Sequence, residues 1–246
     1  MNLLQQGLNA LIPLRCQLCL SHITCHTFRD ISPNEANKLI CTFCEITLPK
    51  IDLNCSKCST PLKHDSNTEL CGTCVSQERH WQRCIAPFSY EEPITQLIHQ
   101  FKYQNNQTLK TYFAHTIINT VKEIDHIKHN SLITHVPMHP QRFFERGYNQ
   151  SLILALSISA LTNIPHKNLL IKTHTTPHQV SLSKKDREIQ LKNSFNIQSN
   201  QEYSIENKYI ILIDDVVTTG ATSTEIAKTL KRFGAKEVDI WCIART

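Results

Sequence analysis

Two adjacent carboxylates, Asp214 and Asp215, close an unbroken apolar run, Tyr209 to Ile213. A stretch of small hydroxylated residues with one glycine, Thr218 to Thr224, follows them. The backbone N–H groups of Thr219, Gly220, Ala221 and Thr222 at a helix start, with threonine hydroxyls beside them, suit an anion, and phosphate is the usual one. Two acids next to a bare phosphate would repel it. A ligand carrying hydroxyls, or a divalent cation between the charges, removes the conflict, and a sugar phosphate with Mg²⁺ supplies both. The bland alternative is that the acids end a strand and the threonines cap a helix. Against it, the apolar run, acid pair, Thr-rich loop and following helix agree on a ligand site. No G-x-x-x-x-G-K-[ST] is present, so a P-loop is excluded.

A second group lies in HPQRFFERGYNQS, where Arg142, Arg146 and Gly147 follow a short apolar run, Leu132 to Val136. Guanidinium groups are permanently charged and bind phosphate oxygens in pairs, and a glycine lets backbone approach a ligand, which is what a pyrophosphate requires. The alternative is a solvated basic turn. The chain has only 5 Gly, and one stands in each of these two segments.

The third group is cysteine. Of 11 Cys, eight form four C-x2-C pairs: Cys16 and Cys19, Cys41 and Cys44, Cys55 and Cys58, Cys71 and Cys74. Without a secretory signal, that spacing means metal rather than disulfides. Each pair sets two thiolates on one tight turn, two pairs complete a tetrahedral Zn²⁺ shell, and four pairs give two zincs. A sequential scheme joins the first pair with the second and the third with the fourth, across loops of 21 and 12 residues; a cross-braced scheme interleaves them. Loop length favours the sequential one. Closed four-Cys sites leave no open position for catalysis, so the zincs are structural. His22, His26 and His64 read as surface residues, and Cys25, Cys84 and Cys242 as small apolar ones.

These groups need elements to hold them. Tyr209–Ile213 reads as a strand buried on both faces, ending at the acids, as in a parallel sheet. Ile226, Ala227, Leu230 and Phe233 give the next helix its apolar face, with Gly234 as its C-cap. Ile85 to Tyr90 predicts a strand, and Pro93 opens a helix bearing Ile94, Leu97, Ile98 and Phe101. A second helix spans about Thr108 to Asp125, a strand Leu132 to Val136, a helix Leu152 to Leu161, and a strand Phe195 to Ile197. Strands alternating with helices predict a three-layer α/β domain with a mainly parallel sheet over 84–246, preceded by a Cys-rich zinc-binding region of double-ribbon type over 1–83. Residues 172–193, polar and basic, suit a lid over the site or an ordinary surface loop followed by a charged helix. No internal repeat is apparent.

Composition sets bounds. The 246 residues, 40% hydrophobic, supply a full-sized core plus an appendage. A net charge of +5 permits an anionic ligand or nucleic acid without establishing either. The first 15 residues are amphipathic but broken by Gly7 and Pro13, and no run approaches membrane length, so a soluble, cytoplasmic protein without membrane insertion is expected.

Taken together, the paired cysteines; Lys102-Tyr103; Val136-Pro137 with Arg142, Arg146, Gly147, Asn149 and Gln150; Thr176, Gln179, Leu182 and Arg187; and Asp214 through Thr222 resemble the ComF family over essentially the whole chain. Lys172 and His174 stand where that family commonly has arginines, and Gln190 where it has asparagine. The resemblance implies a type I phosphoribosyltransferase fold that binds phosphoribosyl pyrophosphate with Mg²⁺. Asp214 and Asp215 would then meet the ribose hydroxyls, Thr218, Thr219, Gly220, Ala221 and Thr222 the 5′-phosphate, and Arg142, Arg146, Gly147 and Lys102 the pyrophosphate. It also implies a role in DNA uptake during natural transformation, with incoming single-stranded DNA and a competence helicase or other uptake protein as partners. The alternative is an active phosphoribosyltransferase, transferring the pentosyl group to a nitrogen acceptor with no direct DNA role.

Overall fold

The computed structural model describes residues 15–23, 39–62, 68–104, 106, 108–123, 129–173 and 194–246. Residues 1–14, Cys25, His26, His64 and positions 174–193 of the expected lid, with His174, Thr176, Gln179, Leu182, Arg187 and Gln190, lie outside the described residues.

Four strands form one parallel sheet: β1 (Arg83–Ile85), β3 (Ser131–His135), β6 (Tyr209–Ile213) and β8 (Glu237–Trp241), in the order β1-β8-β6-β3. Three of them resume after a two-residue interruption as β2 (Phe88–Ser89), β7 (Val216–Val217) and β9 (Ala244–Arg245), which pair in the order β2-β9-β7. Register survives the break, because Ile213 pairs with Trp241 and Val216 with Ala244, the same offset. The strand expected over Ile85 to Tyr90 is thus split at Ala86-Pro87, and the strand expected to end at the acids resumes beyond them. Proline cannot donate to a ladder, which suits an edge position. That edge is covered: Ile51 N–H donates to the Pro87 carbonyl at 3.1 Å and Ser89 N–H to the Pro49 carbonyl at 2.8 Å.

Both faces of the sheet are buried. Ile211 and Ile213 of β6 enter one core and Ile210 and Leu212 the other. The first core holds α3 (Ile94–Tyr103), α4 (Leu109–Glu123) and α6 (Gln150–Thr162). The second holds α7 (Ala221–Arg232) and the antiparallel pair β4 (Leu170–Lys172) and β5 (Phe195–Ile197). This is the expected three-layer α/β architecture.

The segment after β3 differs from expectation. Rather than an open turn it contains a short helix, α5 (Pro140–Arg146). His139 accepts from the Gln141 N–H, Pro140 opens the helix, and Gly147, at φ 77°, closes it by donating to the Phe143 carbonyl at 2.7 Å. Proline inside the start and glycine past the end are helix punctuation.

The cysteine region contains a structural repeat that the sequence reading missed. Residues 15–22 and 54–61 each form a small antiparallel knuckle, with Cys16 N–H bonded to the Ser21 carbonyl and Cys55 N–H to that of Thr60, both at 2.9 Å. Each is followed by a short helix, α1 (Thr42–Ile46) or α2 (Gly72–Ser76), capped by Cys41 or Cys71. Unequal loops hide this repeat in the sequence. The first unit packs on the first core through Cys16, Ile40 and Cys44, the second on the other core through Cys55, Cys58 and Cys74.

On the outer flank of β3, His135 is buried with its Nδ1 3.1 Å from Nε2 of His166 and the rings stacked. Burial, reinforced by the His166 ring, holds His135 down at about 4. The unfolded chain protonates near 6.5, so below that pH it takes up a proton the folded chain refuses, and stability falls with pH. Urea midpoints should show a loss of about 2 kcal/mol between pH 7 and 5 from this group. His135→Phe should lose markedly less over that interval, and an unchanged pH slope would reject the assignment.

Candidate functional site

The interruption across the three strands places Asp214 and Asp215 between β6 and β7, in the middle of the sheet. Their backbone continues the ladder: Asp214 N–H donates to the Trp241 carbonyl and Ile243 N–H to the Asp215 carbonyl, each at 3.0 Å. Asp214 Oδ1 accepts from the Asp215 N–H at 2.8 Å and from the Ser151 hydroxyl at 3.2 Å. Lys102 Nζ lies 2.8 Å from Asp215 Oδ1. Burial, with the Asp215 charge behind it, pushes the Asp214 carboxyl up to about 7 against the pull of that N–H, Lys102 and Ser151. Burial opposes the charge on Lys102 as well, yet the attraction of Asp215, then Asp214, outweighs it and leaves the ammonium harder to deprotonate than usual.

Lys102 stands in the last turn of α3, and the segment joining α5 to α6 fastens that turn. Tyr148 donates to the Phe101 carbonyl at 2.7 Å and Gln150 Nε2 to the Lys102 carbonyl at 3.0 Å. Arg146 donates to the Tyr103 hydroxyl at 2.8 Å and its guanidinium lies 4.6 Å from that ring's centre. Asn149 caps α6 by accepting from Ser151 and Leu152 N–H, and donates to the Val136 carbonyl at 3.1 Å. One short segment therefore sets both the cation facing Asp215 and the hydroxyl facing Asp214. The sequence reading assigned Arg146 to a ligand; in the described structure it braces Tyr103.

Beyond β7 the Thr-rich loop turns into α7 at Gly220, which adopts φ 74°. That conformation calls for glycine, and a β-carbon there would lie 3.1 Å from Nη1 of Arg79, close enough to displace the guanidinium slightly. Thr219 Oγ1 accepts from the Ala221 N–H at 3.3 Å.

A cavity of about 250 Å³ opens over the acids. Lys102, Arg142, Arg146, Asp214, Asp215 and Thr222 line it. Thr218, Thr219, Gly220 and Ala221, which precede Thr222, lie outside the lining, and Gly147 serves as the α5 terminus. Sequence reasoning passed over Ser151, a serine at a helix start, and His139, which also line the cavity, as does Lys172, noted in the sequence where the family commonly has arginine. Lys172 loses some proton affinity through burial and the nearby Arg142 charge. An acidic floor and a basic rim thus face one space.

The eight paired cysteines form two groups, Cys16, Cys19, Cys41 and Cys44, and Cys55, Cys58, Cys71 and Cys74, with the sulfurs of each group all within 4.8 Å of one another. This is the sequential pairing. Four converging thiols form a donor set for a soft or borderline divalent metal. Cys84 and Cys242 are buried elsewhere, their sulfurs 4.0 Å apart.

Removing the ammonium would leave two carboxylates facing each other without a counter-charge. Lys102→Met should cost about 3 kcal/mol in stability at pH 8, and distinctly less at pH 5, where Asp214 takes a proton. Chemical denaturation at the two pH values measures this, and an equal loss at both would contradict the pairing.

Residues 163–246 match the family model described as phosphoribosyl transferase domain, a stretch that includes the acid pair and the Thr-rich loop. Competence protein F of Haemophilus influenzae is 32% identical over 211 residues, which is 84% of this chain and 90% of that protein. DNA utilization protein YhgH of Escherichia coli K12 is 30% identical over the same length, again 84% of this chain and 90% of the relative. Competence protein ComFC of Streptococcus pneumoniae is 26% identical over 242 residues, 94% of this chain and 100% of that one. With identity of 30% or more over 84% of this chain and 90% of those relatives, the chain belongs to the ComF family of competence proteins.

Proposed function

We propose that the chain binds phosphoribosyl pyrophosphate with Mg²⁺ in the cavity above Asp214 and Asp215, and that it acts in DNA uptake by handling incoming single-stranded DNA. The observation that carries the ligand reading is the convergence of opposite chemistries on one cavity, with Asp214 and Asp215 on its floor and Arg142, Arg146 and Lys172 on its rim. A ribose offers hydroxyls to the acids while its phosphates take the cations. Mg²⁺ is held by one or two carboxylates together with substrate phosphates, and two adjacent carboxylates fit that role. When bound, the ion would neutralise phosphate charge beside the acids. Lys102 then has two tasks: it screens Asp215 in the free chain and is placed to meet a phosphate once the acid finds another partner. Asp214, poised near neutrality, gives up its proton when a cation or hydroxyl donor arrives. Ligand binding should accordingly release a proton near pH 7.

The DNA role is supported by relatives named for competence and DNA utilization, and by a net charge of +5. Phosphate contacts by Lys and Arg make such binding steeply salt-dependent. For the cysteine groups the proposed metal is zinc, one structural ion in each. Four thiols suit Zn²⁺, and the small buried core of each knuckle and helix leaves folding dependent on the ion.

Two measurements test these readings. Asp215→Asn should weaken phosphoribosyl pyrophosphate binding about tenfold or more in calorimetry with Mg²⁺ present, as expected when a charged contact is lost; unchanged affinity would remove the acid from the site. Metal analysis of the purified chain should return two zincs, falling to one in Cys19→Ser; one or none in the unaltered chain would overturn the metal assignment.

A further inference from the structure

Nothing in the sequence joins the second cysteine group to the Thr-rich loop, yet the structure links them through three side chains. Arg79, three residues beyond α2, donates from Nη1 to the Thr219 carbonyl at 3.0 Å and to Thr224 Oγ1 at 3.4 Å. Trp81 Nε1 donates to the same threonine oxygen at 3.2 Å, and the Arg79 guanidinium lies 5.4 Å from the Trp81 ring centre. Arg245, only 6% exposed, spans from the cysteine knuckle to the loop. Its Nε donates to the carbonyl of Cys58 at 3.1 Å, and its Nη1 donates to the carbonyls of Val217, at 3.1 Å, and Thr218. The knuckle is itself tied to β1, since Cys84 N–H donates to the Lys57 carbonyl at 2.8 Å and Ser59 Oγ to the Cys84 carbonyl at 2.7 Å.

A trans peptide points its C=O and its N–H to opposite sides. Guanidinium groups that hold the carbonyls of Thr218 and Thr219 therefore turn the N–H groups of Thr219 and Gly220 away from themselves. Those are two of the amides the sequence assigns to a phosphate. Arg79 lies close against Gly220, where an added methyl would sit 3.1 Å from Nη1 and push the guanidinium slightly aside. The first cysteine group makes different attachments: Gln100 Nε2 of α3 donates to the Gln17 carbonyl at 3.1 Å, and the Tyr112 hydroxyl of α4 to Glu45 at 2.8 Å.

We propose that Arg79 and Arg245 are positioning residues that fix the peptide planes of Thr218 to Gly220. The second cysteine group anchors them, so its metal, and not that of the first group, controls the order of the anion loop. This rests on the zinc and phosphoribosyl pyrophosphate readings above. The loop's order can nevertheless be read without either ligand binding or turnover.

The test uses the full-length, zinc-loaded protein and hydrogen exchange of the amides at 218–222, with metal content measured alongside. Arg79→Ala should keep two zincs while those amides exchange about tenfold faster, the response of a segment that has lost local restraint. Arg79→Lys should recover part of the protection. Of the cysteine variants, Cys71→Ser should release one zinc and speed the loop's exchange, whereas Cys19→Ser should release one zinc and leave it within about twofold. Calorimetry with phosphoribosyl pyrophosphate should follow the same order, a loss of about tenfold in Arg79→Ala corresponding to a modest coupling. Unchanged loop exchange in Arg79→Ala, or an equal response to both cysteine variants, overturns the proposal. The exchange pattern as expected, in a protein that binds no phosphoribosyl pyrophosphate, supports the coupling and defeats the ligand reading instead.

Discussion

Two neighbouring carboxylates inside a parallel sheet are the condition that the surrounding structure answers. Burying a charge is expensive unless it is paired and hydrogen-bonded. Here one acid receives an ammonium and the other a hydroxyl and a backbone N–H. These partners come from two helices, α3 and α6, joined near the site where Gln150 Nε2 donates to the Lys102 carbonyl. The segment Arg146 to Ser151 serves both, since it closes α5, opens α6 and pins the last turn of α3. A run of residues that looks like ligand-binding machinery is therefore in large part carpentry for Lys102.

The second dependency is packing. A four-stranded sheet with helices on both sides needs its ends and edges closed. The cysteine units do this work at two places, one against each core, while the stretch between them, residues 49–51, hydrogen-bonds along the outer strand. Both units are small knuckles followed by five-residue helices. Helices that short have little stability of their own in water, so they depend on the sheet they lean against.

Much of this was legible in the sequence because it rests on periodicity and on chemistry of fixed spacing. The strand Tyr209–Ile213 is apolar throughout since both its faces are buried. The helix after the loop shows its stripe at Ile226, Ala227 and Leu230, and all three are buried. Cysteine pairing followed from loop length and converged as expected. What escaped was set by tertiary contact. The strand's resumption at Val216–Val217 depends on pairing with Ala244–Arg245, which no local pattern announces. Helix α5 was signalled by Pro140 and Gly147, but the arginines drew attention to ligand chemistry instead. The roles of Ser151, Arg79 and Arg245 could not have been read from the chain, because each acts on residues far away in sequence.

The seating of the two cysteine units has a practical meaning for dissecting this protein. Composition changes sharply near residue 84, which invites a cut there. Such a cut would strip Cys16, Ile40, Cys44 and Leu48 from one hydrophobic core and Cys55, Cys58, Cys74 and Trp81 from the other. It would also bare the outer strand where Pro49 and Ile51 now lie. Neither fragment would be a portable module. The cysteine-paired segment and the α/β segment are better regarded as a single folding unit whose expression and engineering must proceed together.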